Sequence, residues 1–208
     1  MRRPPAIAEQ ARNARGLLGR LVAFIMARET WADNQRAIEA LDIRDGDHVL
    51  DIGCGHGRSL AALAARTPSG RVVGADPSVL MVDIAVARNR SLIRRKRVDV
   101  IVAGVDALPF ESASFDRALC VHVIYFWKDL DLGLREIARV LKPGAKLALI
   151  LRTSADTAAV SRFPAEVYSF RSLDEVLSAL RAAGLETEVA DHGREPALVV
   201  VRKVLSAL

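Results

Sequence analysis

Val49-Leu50-Asp51-Ile52-Gly53-Cys54-Gly55-His56-Gly57 reads as a buried strand that breaks into a glycine-rich turn and then opens a helix. Three glycines at alternate positions allow a sharp turn and let a ligand approach the main chain closely. Beyond the turn Leu60, Leu63 and Ala64 recur at helical spacing, so the turn sits at a helix N-terminus. A second apolar run, Arg71 to Ala75, ends in Asp76, nineteen residues after Gly57. A carboxylate at the tip of the neighbouring strand is where an open α/β sheet holds ribose hydroxyls. Glycine turn and acidic strand end together predict a nucleoside-containing cofactor.

The spacing separates two cofactor classes. A dinucleotide site uses G-x-G-x-x-G, with a helix N-terminus aimed at a pyrophosphate. This chain has D-x-G-x-G-x-G, with Asp51 two residues before the first glycine. That carboxylate would repel a pyrophosphate but suits a cofactor carrying an ammonium group. S-adenosylmethionine carries one, together with a ribose and a cationic sulfonium.

Composition sets the frame. A chain of 208 residues fits one domain with a substantial core and needs no disulfide or metal staple. Apolar residues make up 51% and aromatic residues 5%, as in a protein built on a buried sheet. The two cysteines, Cys54 and Cys120, sit in apolar contexts and no Cys/His cluster has metal-ligand spacing. No metal is expected, and the reducing cytoplasm is the expected location. The charged residues 1–15 lead into no signal-peptide core, and the run from Leu21 to Ala27 falls far short of the ~20 residues of a membrane span. A net charge of +5 permits an acidic partner without requiring one.

Residues 6–42 read as two helices. Leu18, Leu21, Val22 and Ile25 form one apolar stripe, and Thr30 and Asp33 are candidate caps of a second helix holding Trp31, Ile38 and Leu41. These helices either pack on the sheet or cover the cofactor, and the two roles are compatible. A helix follows Pro77-Ser78 and ends in Arg94-Arg95-Lys96-Arg97, a basic run that complements a helix dipole without any nucleic acid. Strands are expected at 98–102, 115–121 and 145–151, and a helix carrying Leu134, Ile137 and Leu141 is closed by the turn Lys142-Pro143-Gly144. Residues 154–171 read as a polar connection, and Ser172 with Glu175 as a capping box. Two closing strands, at 186–190 and 197–203, form a hairpin. Alternating strands and helices predict a mainly parallel, doubly wound sheet.

At this point the chain resembles the class I S-adenosylmethionine-dependent methyltransferases, more narrowly the methyltransferase-type-11 and ubiquinone/menaquinone-biosynthesis group. Four motifs carry the resemblance in order: VLDIGCGHG, VVGADPSVLMVDIA, GVDALPFESASFD and REIARVLKPGAKLAL, spanning residues 49–150. The resemblance implies an α/β fold, with a Rossmann-like doubly wound seven-stranded mainly parallel sheet, a reversed C-terminal hairpin and N-terminal helices. Residues 1–208 would form a single methyltransferase domain, with 1–42 as a helical lid segment and 43–208 as the cofactor-binding core. Carried over by residue, Asp51, Gly53 and Gly55 lie along the methionine part of the cofactor. Asp76 takes the ribose hydroxyls, Met81 packs on adenine and the main chain at Val105 meets the adenine edge. Family members often have an acid where Gly104 stands; here Asp106 is the nearest carboxylate. Cys120 completes the expected cofactor-binding set.

Methyl transfer from a sulfonium is an in-line displacement that needs alignment, exclusion of water and, for some acceptors, removal of a proton. His122, the first titratable residue beyond the fourth strand, is the candidate catalytic base, with a hydrogen-bonded structural histidine as the alternative. Tyr125, Trp127, Arg152 and Trp31 are candidate substrate-binding residues, with Phe24 and Met26 offering further apolar contact. Tyr125 and Trp127 could equally be packing, and Arg152 could pair with a surface acid. The expected acceptor is a small organic molecule, methylated on O, N or C, with no nucleic acid. A non-catalytic cofactor-binding subunit and an RNA-directed enzyme remain the alternatives. The residues after the fourth strand lack an [N/D]-P-P-[Y/F/W] signature for base methylation.

Overall fold

The computed structural model describes residues 4–204, excluding the side chains of residues 6, 22–24, 26 and 27. The contacts expected of Val22, Phe24 and Met26 therefore lie outside the described residues.

Three helices precede the sheet: α1 (Pro5–Arg12), α2 (Gly16–Glu29) and α3 (Trp31–Ala40). The core then alternates β1 (His48–Ile52), α4 (Arg58–Arg66), β2 (Arg71–Asp76), α5 (Val79–Arg94), β3 (Val98–Val102) and β4 (Phe115–Val121). A single 3-10 turn, Ile124–Phe126, leads to α6 (Leu130–Val140) and β5 (Leu141–Leu151). The chain closes with α7 (Thr157–Arg162), α8 (Leu173–Ala182), β6 (Leu185–Ala190) and β7 (Ala197–Lys203). The seven strands lie in the order β3-β2-β1-β4-β5-β7-β6. All pairs through β5 are parallel, and β7 runs antiparallel to both β5 and β6. The reversed hairpin is thus seated with its second strand inside the sheet. Strand order reverses between β1 and β4, and their carboxyl ends open the crevice in which doubly wound sheets bind ligands.

The period-two alternation of the strands divides the core. Leu50, Ile52, Ala118, Cys120, Leu147, Leu149, Val199 and Val201 face α6 and α8. Val49, Val72, Leu119, Ala148, Ile150 and Val200 face α3 and α4. A sheet buried on both faces explains the near-continuous apolar runs. Burial of each large aliphatic side chain stabilises the fold by roughly 1.5–3 kcal/mol.

Several sequence expectations are corrected. Ala37, Ile38 and Leu41 are buried with the sheet, so α3 belongs to the core, and Ala8 of α1 is buried in it as well. Thr30 stands at the N-cap of α3 but makes no side-chain capping bond. Strand β5 begins at Leu141, because the Lys142-Pro143-Gly144 turn is carried within it: Phe115 pairs with Leu141, and Arg117 with Lys146. The connection 154–171 contains α7, whose first turn is capped by the Asp156 carboxylate accepting from the Ala159 N–H at 2.9 Å. Arg97 does not idle at the end of α5. It donates to the carbonyls of Ala64 (3.0 Å), Thr67 (2.5 Å) and Gly70 (3.1 Å), closing the end of α4 and the entry to β2. The Ser172–Glu175 capping box forms as expected.

Candidate active site

The glycine turn leaves β1 with its backbone tied to the neighbouring strand. The N–H groups of Gly53 and Cys54 both donate to the Ala75 carbonyl, at 2.8 and 3.1 Å. Gly53 has φ +71°, and a Cβ there would stand 2.3 Å from Val123 Cγ1, so conformation and close approach both demand glycine. Gly55 has φ +53°, and a Cβ there would meet nothing within 4 Å. Its missing side chain opens onto a cavity of about 570 Å³ at the carboxyl ends of β1 and β4, within the range of small-molecule and cofactor sites.

Two carboxylates line that cavity. Asp76 Oδ2 accepts from the Gly55 N–H and Oδ1 from the Ser78 N–H, each at 2.9 Å. Burial pushes its carboxyl upward against those two bonds. Asp51 is 3% exposed and accepts from the Ser59 hydroxyl. Burial holds its carboxyl up at about 7, opposed by Ser59 and reinforced by the charge on Asp76. Further along, Met81, Gly104, Val105 and Asp106 line the wall. A Cβ at Gly104 would fall 2.4 Å from Asp106 Oδ1, so the Asp106 carboxylate already occupies the space that an acidic side chain at 104 would enter. Burial, with Arg88 and Arg58 nearby, draws the His56 imidazole down to about 4, which keeps it neutral at the cavity edge.

Aromatic rings line the same cavity. They belong to Trp31, Phe126 and Trp127, and the Arg58 guanidinium stands 4.1 Å from the centre of the Trp31 ring. Ala11, Arg12 and Ala14 bring the N-terminal segment onto the same cavity. The Ser78 hydroxyl donates to the Ala14 carbonyl at 2.9 Å, and Ala14 packs on Met81. His122 sits where β4 ends, with φ +59° and its N–H bonded to the Ile150 carbonyl at 2.8 Å. For a non-glycine residue that left-handed conformation is uncommon and is held by its surroundings. Its Nε2 is 2.8 Å from Asp33 Oδ2 and its Nδ1 2.6 Å from the Tyr125 hydroxyl. Burial pushes the Asp33 carboxyl up, but the bond and charge of His122, with Arg36, outweigh it and hold the group below the usual carboxylate range. An ionised Asp33 accepts from Nε2–H; Nδ1 accepts from the Tyr125 hydroxyl in the neutral Nε2–H tautomer and donates to it in the charged ring.

Residues 50–149 match the family model described as a methyltransferase domain. This chain belongs to the class I S-adenosylmethionine-dependent methyltransferases. An uncharacterized methyltransferase of Bacillus subtilis, YdaC, is 28% identical over 80% of this chain and 86% of its own length. The 27-O-demethylrifamycin SV methyltransferase of Amycolatopsis mediterranei is 35% identical over 73% of this chain, which spans only 58% of that longer relative. Among solved structures, a S-adenosylmethionine-dependent methyltransferase from Aquifex aeolicus is 25% identical, with a TM-score of 0.68 over 83% of this chain and 90% of the other. S-adenosylmethionine is the cofactor, and the residues present fit it. A buried carboxyl raised toward neutrality, as Asp51 is, gains from an opposite ammonium. Asp76 has both oxygens fixed by main-chain donors and still lines the cavity, where ribose hydroxyls can donate to its remaining lone pairs.

Within this methyltransferase the expected site residues divide. Asp51, Gly53, Gly55, Asp76, Met81, Val105, Asp106, His122, Trp31 and Trp127 all border the one cavity. Cys120 does not: it is 1% exposed on the α6 side of β4, and burial pushes its thiol far up. Tyr125 is buried, with its ring among Tyr168 and Phe170 at 5.6 and 5.2 Å. Tyr125 and Arg152 line a smaller recess of about 90 Å³, and Arg152 is paired with Asp156 at 2.5 Å. Phe163, Tyr168 and Phe170 of the 154–171 connection wall that recess; Thr30, His122 and Phe126 border both spaces. Neither nitrogen of His122 is unoccupied, so the ring is a hydrogen-bonded wall in this arrangement. Sequence reasoning missed Ser59 and Ser78, whose signal was their place in the first turn after each acidic strand end. It also read Asp33 as a cap when its partner is His122, and no local signal reveals a contact across 89 positions. Among the described residues no group of His, Cys, Asp and Glu could hold a metal ion.

Proposed function

We propose that this chain transfers the methyl group of S-adenosylmethionine to a small organic acceptor held against the aromatic rings of the cavity. The observation that carries the reading is continuity: one cavity is lined both by the Asp51 and Asp76 carboxylates and by Trp31, Phe126 and Trp127. When bound, the cofactor supplies an electrophilic methyl on a cationic sulfonium, already activated for displacement. Asp51 faces the ammonium, Asp76 the ribose hydroxyls, and Met81, Val105 and Asp106 the adenine. Trp31 and Trp127 orient the acceptor and exclude water. Helices α1 and α2 cover the site as a lid over a single methyltransferase domain, with the Ser78–Ala14 bond as their tether. His122 borders the acceptor space and can take a proton at Nδ1 only when the Tyr125 hydroxyl turns away from it. An oxygen acceptor draws support from the Amycolatopsis relative, whose name states methylation at oxygen.

A small acceptor is favoured over RNA because Arg97, the last residue of the basic run, is spent on internal carbonyls. The reading places the chain in the reducing cytoplasm, in keeping with its two free, buried cysteines. The test pairs calorimetry against S-adenosylmethionine and NAD with radiolabelled methyl transfer to quinols, phenols, amines and RNA. Binding of S-adenosylmethionine alone and labelling of a small acceptor are expected. NAD binding, or salt-sensitive labelling of RNA with no small acceptor active, would overturn the proposal.

A further inference from the structure

A second, smaller space adjoins His122. Five rings line this recess of about 90 Å³: Tyr125, Phe126, Phe163, Tyr168 and Phe170. Tyr168 is their hub, with its ring centre 4.7 Å from that of Phe163, 4.8 Å from Phe126 and 5.7 Å from Phe170. Tyr125 and Tyr168 are buried, whereas Phe126, Phe163 and Phe170 keep part of their surface open. Half-buried phenyl rings around one hollow offer apolar surface to a ligand. Thr30, His122 and Phe126 border both this recess and the main cavity. The two spaces therefore share a wall at the residue beside which methyl transfer takes place.

The charges of the recess are already matched. Asp33 accepts from His122 Nε2 at 2.8 Å and from Arg36 at 3.4 Å. Arg152 donates to Asp156 at 2.5 Å. Glu29 and Tyr168 have partners of their own, and the Tyr125 hydroxyl is bonded to His122 at 2.6 Å. A charged group entering this space would give up its hydration without a free counter-charge to meet it. A neutral apolar group gains by covering the rings. The volume sets its size: at about 30 Å³ for a water-sized group, the recess holds about three carbons. We propose that the recess is the second half of the acceptor site. It takes a neutral, unbranched arm of about three carbons, which passes Thr30 and Phe126 while the atom to be methylated stays beside His122 in the main cavity. The acceptor class is thus a small molecule carrying a short apolar arm, and Phe163 and Phe170 set the length of that arm. The inference rests on the acceptor occupying the main cavity, as proposed above.

The chain holds only two tyrosines, Tyr125 and Tyr168, and both line the recess. Fluorotyrosine incorporated into the full chain therefore reports on this space alone. The labelled protein, with S-adenosylhomocysteine bound, is titrated with phenol and with its methyl, ethyl, propyl and hexyl derivatives at the ortho and para positions. Arms of propyl length ending in a carboxylate or an ammonium complete the panel. Fluorine NMR reads occupancy of the recess, and calorimetry reads affinity. Affinity should rise about fourfold per methylene up to propyl, with the fluorine resonances shifting in step, and should fall for hexyl and for both charged arms. Phe163→Leu, which widens the recess, should move the best arm to about four or five carbons, with unchanged cofactor affinity showing that the fold is kept. Equal affinity for phenol and both propylphenols overturns the proposal. So do fluorine resonances that no compound moves, or a charged arm that binds as tightly as propyl. The reading of the main cavity fails separately, by the absence of radiolabelled product from every small acceptor.

Discussion

His122 Nε2 lies 2.8 Å from Asp33 Oδ2, joining the end of β4 to the first turn of α3 across 89 positions of sequence. The bond fixes the imidazole beside both cavities and ties a core helix to the mouth of the site. Asp33→Ala leaves a buried N–H without its partner, at a cost of about 1–3 kcal/mol. Chemical denaturation should show that loss, while cofactor affinity stays within about twofold, because Asp33 does not line the main cavity. Asp33→Asn, which still offers an oxygen to Nε2–H, should recover most of the stability.

Asp76→Ala should weaken S-adenosylmethionine binding about tenfold or more, since charge-assisted bonds contribute roughly 1.5–3 kcal/mol each. Calorimetry reads this directly. An unchanged affinity would remove Asp76 from the cofactor site.

Gly55→Ala separates cavity from scaffold. No protein atom lies within 4 Å of the added Cβ, so the fold should lose only the roughly 1–2 kcal/mol of left-handed strain. The methyl would stand in the cavity that holds the cofactor. A large loss of S-adenosylmethionine binding with modest thermal destabilisation is the expected pattern, and equal affinity would contradict it.

Asp51 gives the chain an unusual pH dependence. Its folded-state carboxyl titrates at about 7, against an unfolded value of 3.8. Between those values the folded state holds the extra proton, so the contribution of Asp51 is fullest below pH ~4 and is lost as pH rises to about 7. Asp33, Asp116, Asp156 and Glu188 are shifted the other way, and their contributions fail only in acid, as pH falls through their lowered values. His56, held at about 4 against an unfolded 6.5, contributes the opposite slope between those values, so the Asp51 contribution is read by comparison: from pH 5 to pH 8 the cofactor-free wild type should lose thermal stability relative to Asp51→Asn. Cofactor affinity should rise across the same interval, as Asp51 ionises opposite the ammonium.

His122→Ala tests whether the pinned imidazole takes part in the chemistry. With an acceptor that must lose a proton, turnover should drop by roughly 10²-fold or more while cofactor affinity is kept. Equal turnover would leave the ring as a wall alone.

The sheet, its order of elements and the glycine turn were legible in the sequence because they rest on local patterns: apolar runs, turn residues, helical spacing. Asp51 and Asp76 were legible because each ends a strand beside the turn. Cys120 was misread, although alternation along Phe115–Val121 places it with Ala118 on the face covered by α6. The two roles of Tyr125, core ring and His122 partner, follow from a 3-10 turn that folds it inward, and no periodicity announces such a turn. The place of Asp106 was visible only as doubt over Gly104, because two residues compete there for one volume.

Strand β7 sits between β5 and β6, and that position sets the order in which the fold can close. While the chain is being made, β5 emerges well before β7 and presents an open row of backbone donors and acceptors. Strand β6 arrives next with no neighbour to pair with, since its one partner in the sheet is β7. Nascent chains shorter than about residue 197 thus carry an unsatisfied edge beside an already assembled cofactor crevice, the condition in which strands pair with the wrong chain.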